Sequence, residues 1–229
     1  MNRSPETQWI LAALKNWVHR GTDTSPLPAD ANPERAYHLL FHHQLAPLFS
    51  ASPATAGFPE ALQRELAEDR ELEARAALAR LAGLTRLWND LPPTCCPLVL
   101  KGWSLTGSLY PLLAQRRVTD IDLLFATEDE AQSHHAHLKN CGWKEFFPQG
   151  EEAWSGTHHH LVPLQHPTSP LRVEIHLNLT QPPLPSSLIA ALVADALPGT
   201  LAGRSVCFPH RSGALLHHAL HVLNDPVSG

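Results

Sequence analysis

Residues 118–125 combine the apolar pattern of a buried strand with two acidic residues at alternate positions. Side chains on a strand alternate between its two faces, so Asp120 and Asp122 point to one side while Ile121 and Leu123 face the core. Two carboxylates on one face of an apolar strand repel each other and lose hydration, which is costly unless a cation lies between them. Mg²⁺, a hard ion with oxygen ligands, is the usual solution. Spacing alone also allows two surface acids on an edge strand.

A second strand pattern, at residues 172–176, places an acidic residue in the same way. Glu174 and His176 share one face there, while Val173 and Ile175 take the other. If the two strands are neighbours in a sheet, Glu174 completes a three-carboxylate site with Asp120 and Asp122.

Hydrophobic periodicity predicts helices in the first part of the chain and short strands mixed with helices after Pro92-Pro93. The predicted helices cover residues 6–20, 34–43, 59–89, 103–113, 127–138, 188–197 and 214–223. The predicted strands cover residues 96–100, 118–125, 143–147, 158–164 and 171–177. This order predicts an α+β fold: an N-terminal helical lobe (1–92), an α/β core with a small mixed sheet (93–180) and a short C-terminal helical segment (181–229).

Charge and composition restrict the class of partner. The chain has 17 basic and 22 acidic residues, a net charge of -5, which does not favour nucleic acid as a partner but leaves room for a small basic pocket for one triphosphate. No signal peptide pattern and no membrane-spanning apolar run is present, so we expect no membrane association. The four cysteines lack any C-x-x-C spacing, and we expect reduced thiols in a cytoplasmic protein.

Lys101-Gly102 lies where a predicted strand turns into a helix. Glycine allows close approach of the backbone to an anion, and the free N–H groups at the start of a helix attract phosphate. The signal is weak by itself, because the chain contains neither the P-loop nor the dinucleotide-binding glycine pattern.

Taken together, these segments resemble the nucleotidyltransferase superfamily related to DNA polymerase beta, and within it the uncharacterised bacterial nucleotidyltransferase family. The motif is L-K-G-x-x-L…L-Y…R-x-x-x-D-I-D-L-L…V-E-I-H. The matching residues are Leu100, Lys101, Gly102, Leu105, Leu109, Tyr110, Arg116, Asp120 to Leu124 and Val173 to His176.

The resemblance implies a nucleotidyltransferase-like core that moves a nucleoside monophosphate from a nucleoside triphosphate to an acceptor hydroxyl on a small molecule, sugar or protein. It implies that Asp120 and Asp122 bind Mg²⁺, or alternatively Mn²⁺, and that Glu174 joins them and helps to activate the acceptor. The residues expected to bind nucleotide are Lys101, Gly102, Ser104, Arg116 and His176.

Two other functions fit the same sequence. Trp103 stands after Gly102, where that superfamily usually has Ser or Gly, and this favours a catalytically inactive descendant that serves as a binding or scaffold protein. Sixteen histidines, with three in a row at residues 158–160, suggest a histidine-based metal protein. Adjacent histidines on a strand cannot all point at one ion, however, so we interpret most of them as structural.

Overall fold

The computed structural model describes residues 3–19, 25–50, 52–106, 109–147 and 158–224. The chain divides into two compact units. Unit 1 contains Met1–Ala77 and Thr106–Arg117, and unit 2 contains Leu78–Leu105 and Val118–Gly229.

Unit 1 is helical. Its helices are α1 (Pro5–Val18), α2 (Pro33–His42), α3 (Ala46–Phe49) and the first part of α4 (Glu60–Asp90), with 3₁₀ turns at Pro53–Thr55 and Leu113–Gln115. The side chains of Ser4 and Asn32 cap α1 and α2 by accepting backbone N–H groups of the first turn. Its core includes the large side chains of Trp9, Ile10, Leu40, Leu48, Phe49, Phe58 and Leu66.

Unit 2 contains the rest of α4 and all of the β-structure. Its other helices are α5 (Lys101–Ser104), α6 (Glu128–Asn140), α7 (Ser186–Ala194) and α8 (Arg211–Asn224). Its strands are β1 (Leu98–Val99), β2 (Asp120–Leu124), β3 (Lys144–Glu145), β4 (Leu164–Gln165), β5 (Arg172–His176), β6 (Leu197–Leu201) and β7 (Arg204–Phe208). None of the described helices is long and apolar enough to cross a bilayer.

The seven strands form one mixed sheet in the order β3-β4-β5-β2-β1-β7-β6. The pairs β2–β5 and β1–β7 are parallel, and the other neighbouring strands are antiparallel. The α+β class with a mixed sheet is therefore confirmed. The two strands that carry the acidic residues, β2 and β5, are direct neighbours, as the three-carboxylate hypothesis requires.

Close packing on α4 supports the segment that leads into β5. A Cβ atom added to Gly83 would lie 2.1 Å from Oγ of Ser169 and 2.9 Å from Cβ of Leu171. Ser169 Oγ in turn accepts the backbone N–H of Leu171 at 3.1 Å. Gly83 thus allows the helix to approach the backbone just before the strand that bears Glu174.

Two predicted helices are shorter than expected. The helix predicted at 103–113 ends at Ser104, where α5 ends; residues 107 and 108 lie outside the described residues. Thr106 has low helix propensity, and Pro111 disfavours helical geometry at the residue before it. The helix predicted at 188–197 ends at Ala194, because β6 begins at Leu197, the residue before Pro198, and a residue before proline disfavours helical geometry.

The hairpin β6–β7 was not predicted. Its two-residue turn, Ala202-Gly203, has φ values of 49° and 81°, the left-handed conformations of a type I′ turn. Asn-Gly or Asp-Gly would have indicated such a turn in the sequence, whereas Ala-Gly does not. The predicted strand at 158–164 was also too long: His160 alone bridges to His176, and β4 begins at Leu164, after Pro163, which has no N–H to donate.

Candidate active site

The parallel register of β2 and β5 places acidic residues side by side. Asp122 is the Cα partner of Glu174, and Asp120 is the partner of Arg172. Residues directly opposite each other on neighbouring strands share a face of the sheet. The intervening residues of both strands, Ile121, Leu123, Val173 and Ile175, are at most 1% exposed. Burial of this apolar face fixes the strand register and therefore which side chains meet on the other face.

Asp122, Glu174 and His176 form a compact group of possible metal ligands. One oxygen or nitrogen atom from each of the three side chains lies within 4.8 Å of the others. Nε2 of His176 lies 2.8 Å from Oδ1 of Asp122 and 3.9 Å from Oε2 of Glu174. Within the part of the chain that the structure describes, Asp120 does not belong to this group. It lies two residues before Asp122, at the start of the same strand.

A lysine side chain reaches the same carboxylates. Nζ of Lys101 lies 2.7 Å from Oδ1 of Asp122 and 3.8 Å from Oε2 of Glu174. The backbone N–H of Leu100 donates to the carbonyl oxygen of Asp122 at 2.9 Å and so ties this segment to β2. Lys101 itself has a φ of 46°, an uncommon backbone conformation for a residue with a side chain. Such conformations persist where the surrounding structure enforces them, often at functional sites.

Burial and charge separate the protonation behaviour of the acidic residues. Burial alone would raise the pKa of Asp122, but the hydrogen bond and charge of His176, together with Lys101, hold that pKa well below its usual range. Burial, followed by the charge of Asp122, raises the pKa of Glu174 to about 7. The same two causes, in the same order, raise the pKa of Asp120. Asp122 is therefore the ionised member of the pair, and Glu174 can exchange a proton near neutral pH.

Three further histidines surround His176. The ring centroids of His159, His160 and His217 lie 5.2, 5.4 and 6.4 Å from that of His176. Burial is the main cause that lowers the pKa of His159 and His217 to about 3 and that of His160 to about 4. These three imidazoles are thus neutral at physiological pH, and they place uncharged rings next to His176.

The histidine run at residues 158–160 gives no separate ligand set among the described residues. The one group with metal-ligand spacing there contains a single histidine, His176, together with the two carboxylates. Nδ1 of His160 faces the carbonyl oxygen of Leu161 at 2.9 Å. The local pattern had identified residues 158–160 but not His217, which α8 brings to the site from 41 positions beyond His176 in the sequence. No sequence signal distinguishes His217 from the nearby histidines His210, His218 and His221.

The remaining predicted nucleotide-binding residues have diverse surroundings. Gly102 is buried in α5, and Oγ of Ser104 donates to the carbonyl oxygen of Lys101 at 2.7 Å. Trp103 is 2% exposed, so its ring packs in the interior of unit 2.

Arg116 belongs to unit 1, where its guanidinium lies 5.5 Å from the centroid of the Tyr110 ring. Arg117 of the same unit forms ion pairs with Glu73 and Asp69.

Comparison with known proteins identifies the family. A family model described as "Uncharacterised nucleotidyltransferase" matches residues 29–229 of the chain. The chain therefore belongs to this family of nucleotidyltransferases, as its motifs had indicated. Searches among curated proteins and among solved structures found no match.

Proposed function

We propose that the protein is a divalent-metal-dependent nucleotidyltransferase that transfers a nucleoside monophosphate from a nucleoside triphosphate to an acceptor hydroxyl. The observation that carries this proposal is the pairing of Asp122 with Glu174 on adjacent parallel strands, in a chain of the nucleotidyltransferase family. The acceptor in this proposal is a small molecule, a sugar or a protein, since the net charge of -5 does not favour nucleic acid.

The chemistry of the donor set fits a divalent ion. Asp122 and Glu174 supply carboxylate oxygens, the ligands that Mg²⁺ and Mn²⁺ prefer, and His176 adds an imidazole that suits Mn²⁺ better than Mg²⁺. Asp120, on the same face of β2, is outside this group, and we assign it to metal binding only in the complex with nucleotide. When bound, the ion would supply Lewis-acid stabilisation of charge on the phosphate oxygens.

The protein's own residues would orient the reactants and handle the proton. Glu174, whose pKa is raised to about 7, is suited to accept the proton of the acceptor hydroxyl, because a general base works best when its pKa lies near the working pH. Lys101 is the basic side chain that we assign to the triphosphate, since its ammonium group already lies at the carboxylates. We retain Gly102, Ser104, Arg116 and His176 as nucleotide-binding candidates.

The contact between Lys101 and Asp122 favours a second function, that of a nucleotidyltransferase fold without catalysis. A lysine ammonium can neutralise the buried carboxylate permanently and so replace a metal ion. The two functions differ in one property. In an enzyme a metal ion has to displace the ammonium group of Lys101 from Asp122, whereas a scaffold does not require this.

Calorimetric titration with non-hydrolysable analogues of the four common nucleoside triphosphates tests the proposed function. We expect binding that requires Mg²⁺ or Mn²⁺ and that Asp122→Asn weakens by about tenfold or more, which corresponds to the loss of a charge-assisted interaction. Glu145→Gln is the matched control, because Glu145 pairs with Lys139 elsewhere in unit 2. Absence of binding for every analogue, or equal binding in the presence of a metal chelator, would refute the enzyme.

If binding is observed, transfer is assayed with triphosphates labelled at the α-phosphate and a mixture of hydroxyl acceptors. If the protein is a nucleotidyltransferase, we expect a labelled product together with pyrophosphate, and loss of both in Asp122→Asn. Binding without any transfer would support the scaffold function.

A further inference from the structure

Two cysteines from distant parts of the sequence lie in contact within unit 2. The Sγ atoms of Cys96 and Cys207 are 3.3 Å apart, although 111 positions separate the residues in the chain. Neither thiol contributes to the carboxylate site, and neither belongs to a disulfide. A disulfide requires an S–S distance of about 2.05 Å, so the sulfurs need to approach by only about 1.2 Å.

Backbone hydrogen bonds hold Cys207 next to the segment that carries Cys96. Leu98 of β1 is the Cα partner of Cys207 in β7, and the backbone N–H of Cys207 donates to the carbonyl oxygen of Pro97 at 3.0 Å. Cys207 also pairs with Pro198 of β6 on its other side, so strands flank it on both sides. Cys96 precedes β1 and lies outside the sheet ladder. The short approach can therefore come from Cys96, while Cys207 keeps its place.

We propose that Cys96 and Cys207 form a reversible intramolecular disulfide when the protein meets a low-molecular-weight disulfide oxidant. In the first step, the Cys96 thiolate attacks the oxidant, one thiolate of the oxidant leaves, and a mixed disulfide forms on Cys96. In the second step, the Cys207 thiolate attacks the Cys96 sulfur and the second thiolate leaves. The protein loses two protons and two electrons, and the oxidant gains them as two thiols.

Accessibility assigns the order of the two steps. The Cys96 residue is exposed, whereas Cys207 is half-buried. Burial and the hydrogen bond with Cys96 raise the pKa of the Cys207 thiol to about 11, which leaves little thiolate for a direct reaction with a dissolved oxidant. A cavity of about 340 Å³ is lined by Cys96 and Cys207, and also by Cys95, Glu130 and His134, and provides space for a small oxidant. Cys96 is therefore the entry point, and Cys207 resolves the mixed disulfide, because the 3.3 Å between the two sulfurs favours this intramolecular attack even at a small thiolate fraction.

The other two cysteines do not share this geometry. Cys95 also lines the cavity, but it is only 8% exposed, so a dissolved oxidant reaches its thiol less readily than that of Cys96. Cys141 follows α6, and its Sγ lies 3.6 Å from Nε2 of His137. Cys141→Ser is therefore the matched control for Cys96→Ser.

The test treats the native, fully reduced protein with oxidised glutathione and maps the products by mass spectrometry without reduction. We expect a species 2 Da lighter, containing a Cys96–Cys207 linked peptide, in the wild type and in Cys141→Ser but not in Cys96→Ser. A thiol reductant should restore the original mass.

A wild-type protein that remains reduced, that stops at a glutathione adduct, or that links Cys207 to Cys95 would overturn the proposal. The thermal unfolding midpoint provides a second readout. Because the link closes a long loop within a geometry that already exists, the oxidised protein should have a higher midpoint, by about 5 °C. A lower midpoint would show that the link forms only by distorting the fold, and this too would contradict the proposal.

Discussion

The ammonium group of Lys101 lies 2.7 Å from a carboxylate oxygen of Asp122, whose side chain is 2% exposed. Two acidic side chains packed together in a protein interior need a nearby positive charge. Lys101 supplies that charge, and in the proposed enzyme a divalent ion would supply it. Lys101 and a bound metal ion would therefore compete for the same carboxylates, which leads to the first prediction.

Replacing Lys101 by methionine should make the fold depend on divalent ions. Loss of one partner of a buried ion pair typically costs about 3 kcal/mol, because the other charge is left uncompensated. We expect Lys101→Met to lower the free energy of unfolding by about that amount in chelator, and saturating Mn²⁺ to raise its unfolding midpoint more than that of the wild type. Chemical denaturation and thermal scans measure the two effects.

Lys139→Met is the control for this substitution, since the Lys139–Glu145 pair is partly exposed and its loss should cost less than about 1 kcal/mol. If Mn²⁺ stabilises Lys101→Met no more than it stabilises the wild type, lysine and metal do not compete for Asp122, and the scaffold function gains support.

The two aspartates of β2 should differ in their effect on metal binding without nucleotide. Asp122 belongs to the ligand group with Glu174 and His176, whereas Asp120 does not. We expect Asp122→Asn to weaken Mn²⁺ binding by about tenfold or more, the range expected for the loss of one charged ligand. Asp120→Asn should leave Mn²⁺ binding nearly unchanged. Electron paramagnetic resonance of free Mn²⁺ measures both constants. Equal losses in the two variants would contradict this assignment.

The buried histidine of α8 should make the protein sensitive to acid. Burial lowers the pKa of His217 to about 3, whereas a histidine in the unfolded chain titrates near 6.5. Between these values the unfolded state binds more protons, so the stability present above pH 6.5 is lost as the pH falls towards 3. From about pH 7 to about pH 4, His217 should account for a loss of about 3 kcal/mol.

His217→Gln should remove this share of the acid sensitivity, and denaturant titrations across that pH range would detect it. His210→Gln, a change at an exposed histidine just before α8, should keep the pH slope of the wild type. A wild-type slope in His217→Gln would mean that His217 is not the buried neutral imidazole that we describe.

Alanine at Gly83 should destabilise the protein even though alanine is the better helix former. The new methyl group would overlap Ser169 and Leu171, and overpacking of this kind costs about 1–3 kcal/mol, more than the gain of about 1 kcal/mol in helix propensity. Gly57→Ala is the control, because a Cβ atom there meets no atom within 4 Å. Chemical denaturation should separate the two variants. Equal stabilities would show that α4 can shift away from the loop before β5.

Local periodicity predicted the acid-bearing strands but not every contact at the site. The alternation of Asp122 with Ile121 and Leu123, and of Glu174 with Val173 and Ile175, follows from one buried face, and this information is local in the sequence. The contact between Lys101 and Asp122 is not local: it depends on the left-handed φ of Lys101, which a side-chain-bearing residue rarely adopts. The lysine was consequently predicted to bind phosphate only.

Long-range packing explains the other omissions. His217 reaches the site only because α8 packs against α5, and no periodic pattern records such a distant contact. The β6–β7 hairpin was missed because its turn residues, Ala202 and Gly203, lack the usual asparagine or aspartate. The family resemblance, in contrast, provided the expected roles of the metal-binding and nucleotide-binding residues. Local patterns alone leave these roles open.

The most direct test is a crystal structure of the protein with Mn²⁺ and a non-hydrolysable nucleoside triphosphate, in which anomalous scattering locates the metal. We predict an anomalous peak within bonding distance of Asp122 and Glu174 that also contacts the triphosphate, with the ammonium group of Lys101 moved from Asp122 towards phosphate. A structure in which Lys101 keeps its place at Asp122 while metal and nucleotide bind elsewhere, or not at all, would contradict the account.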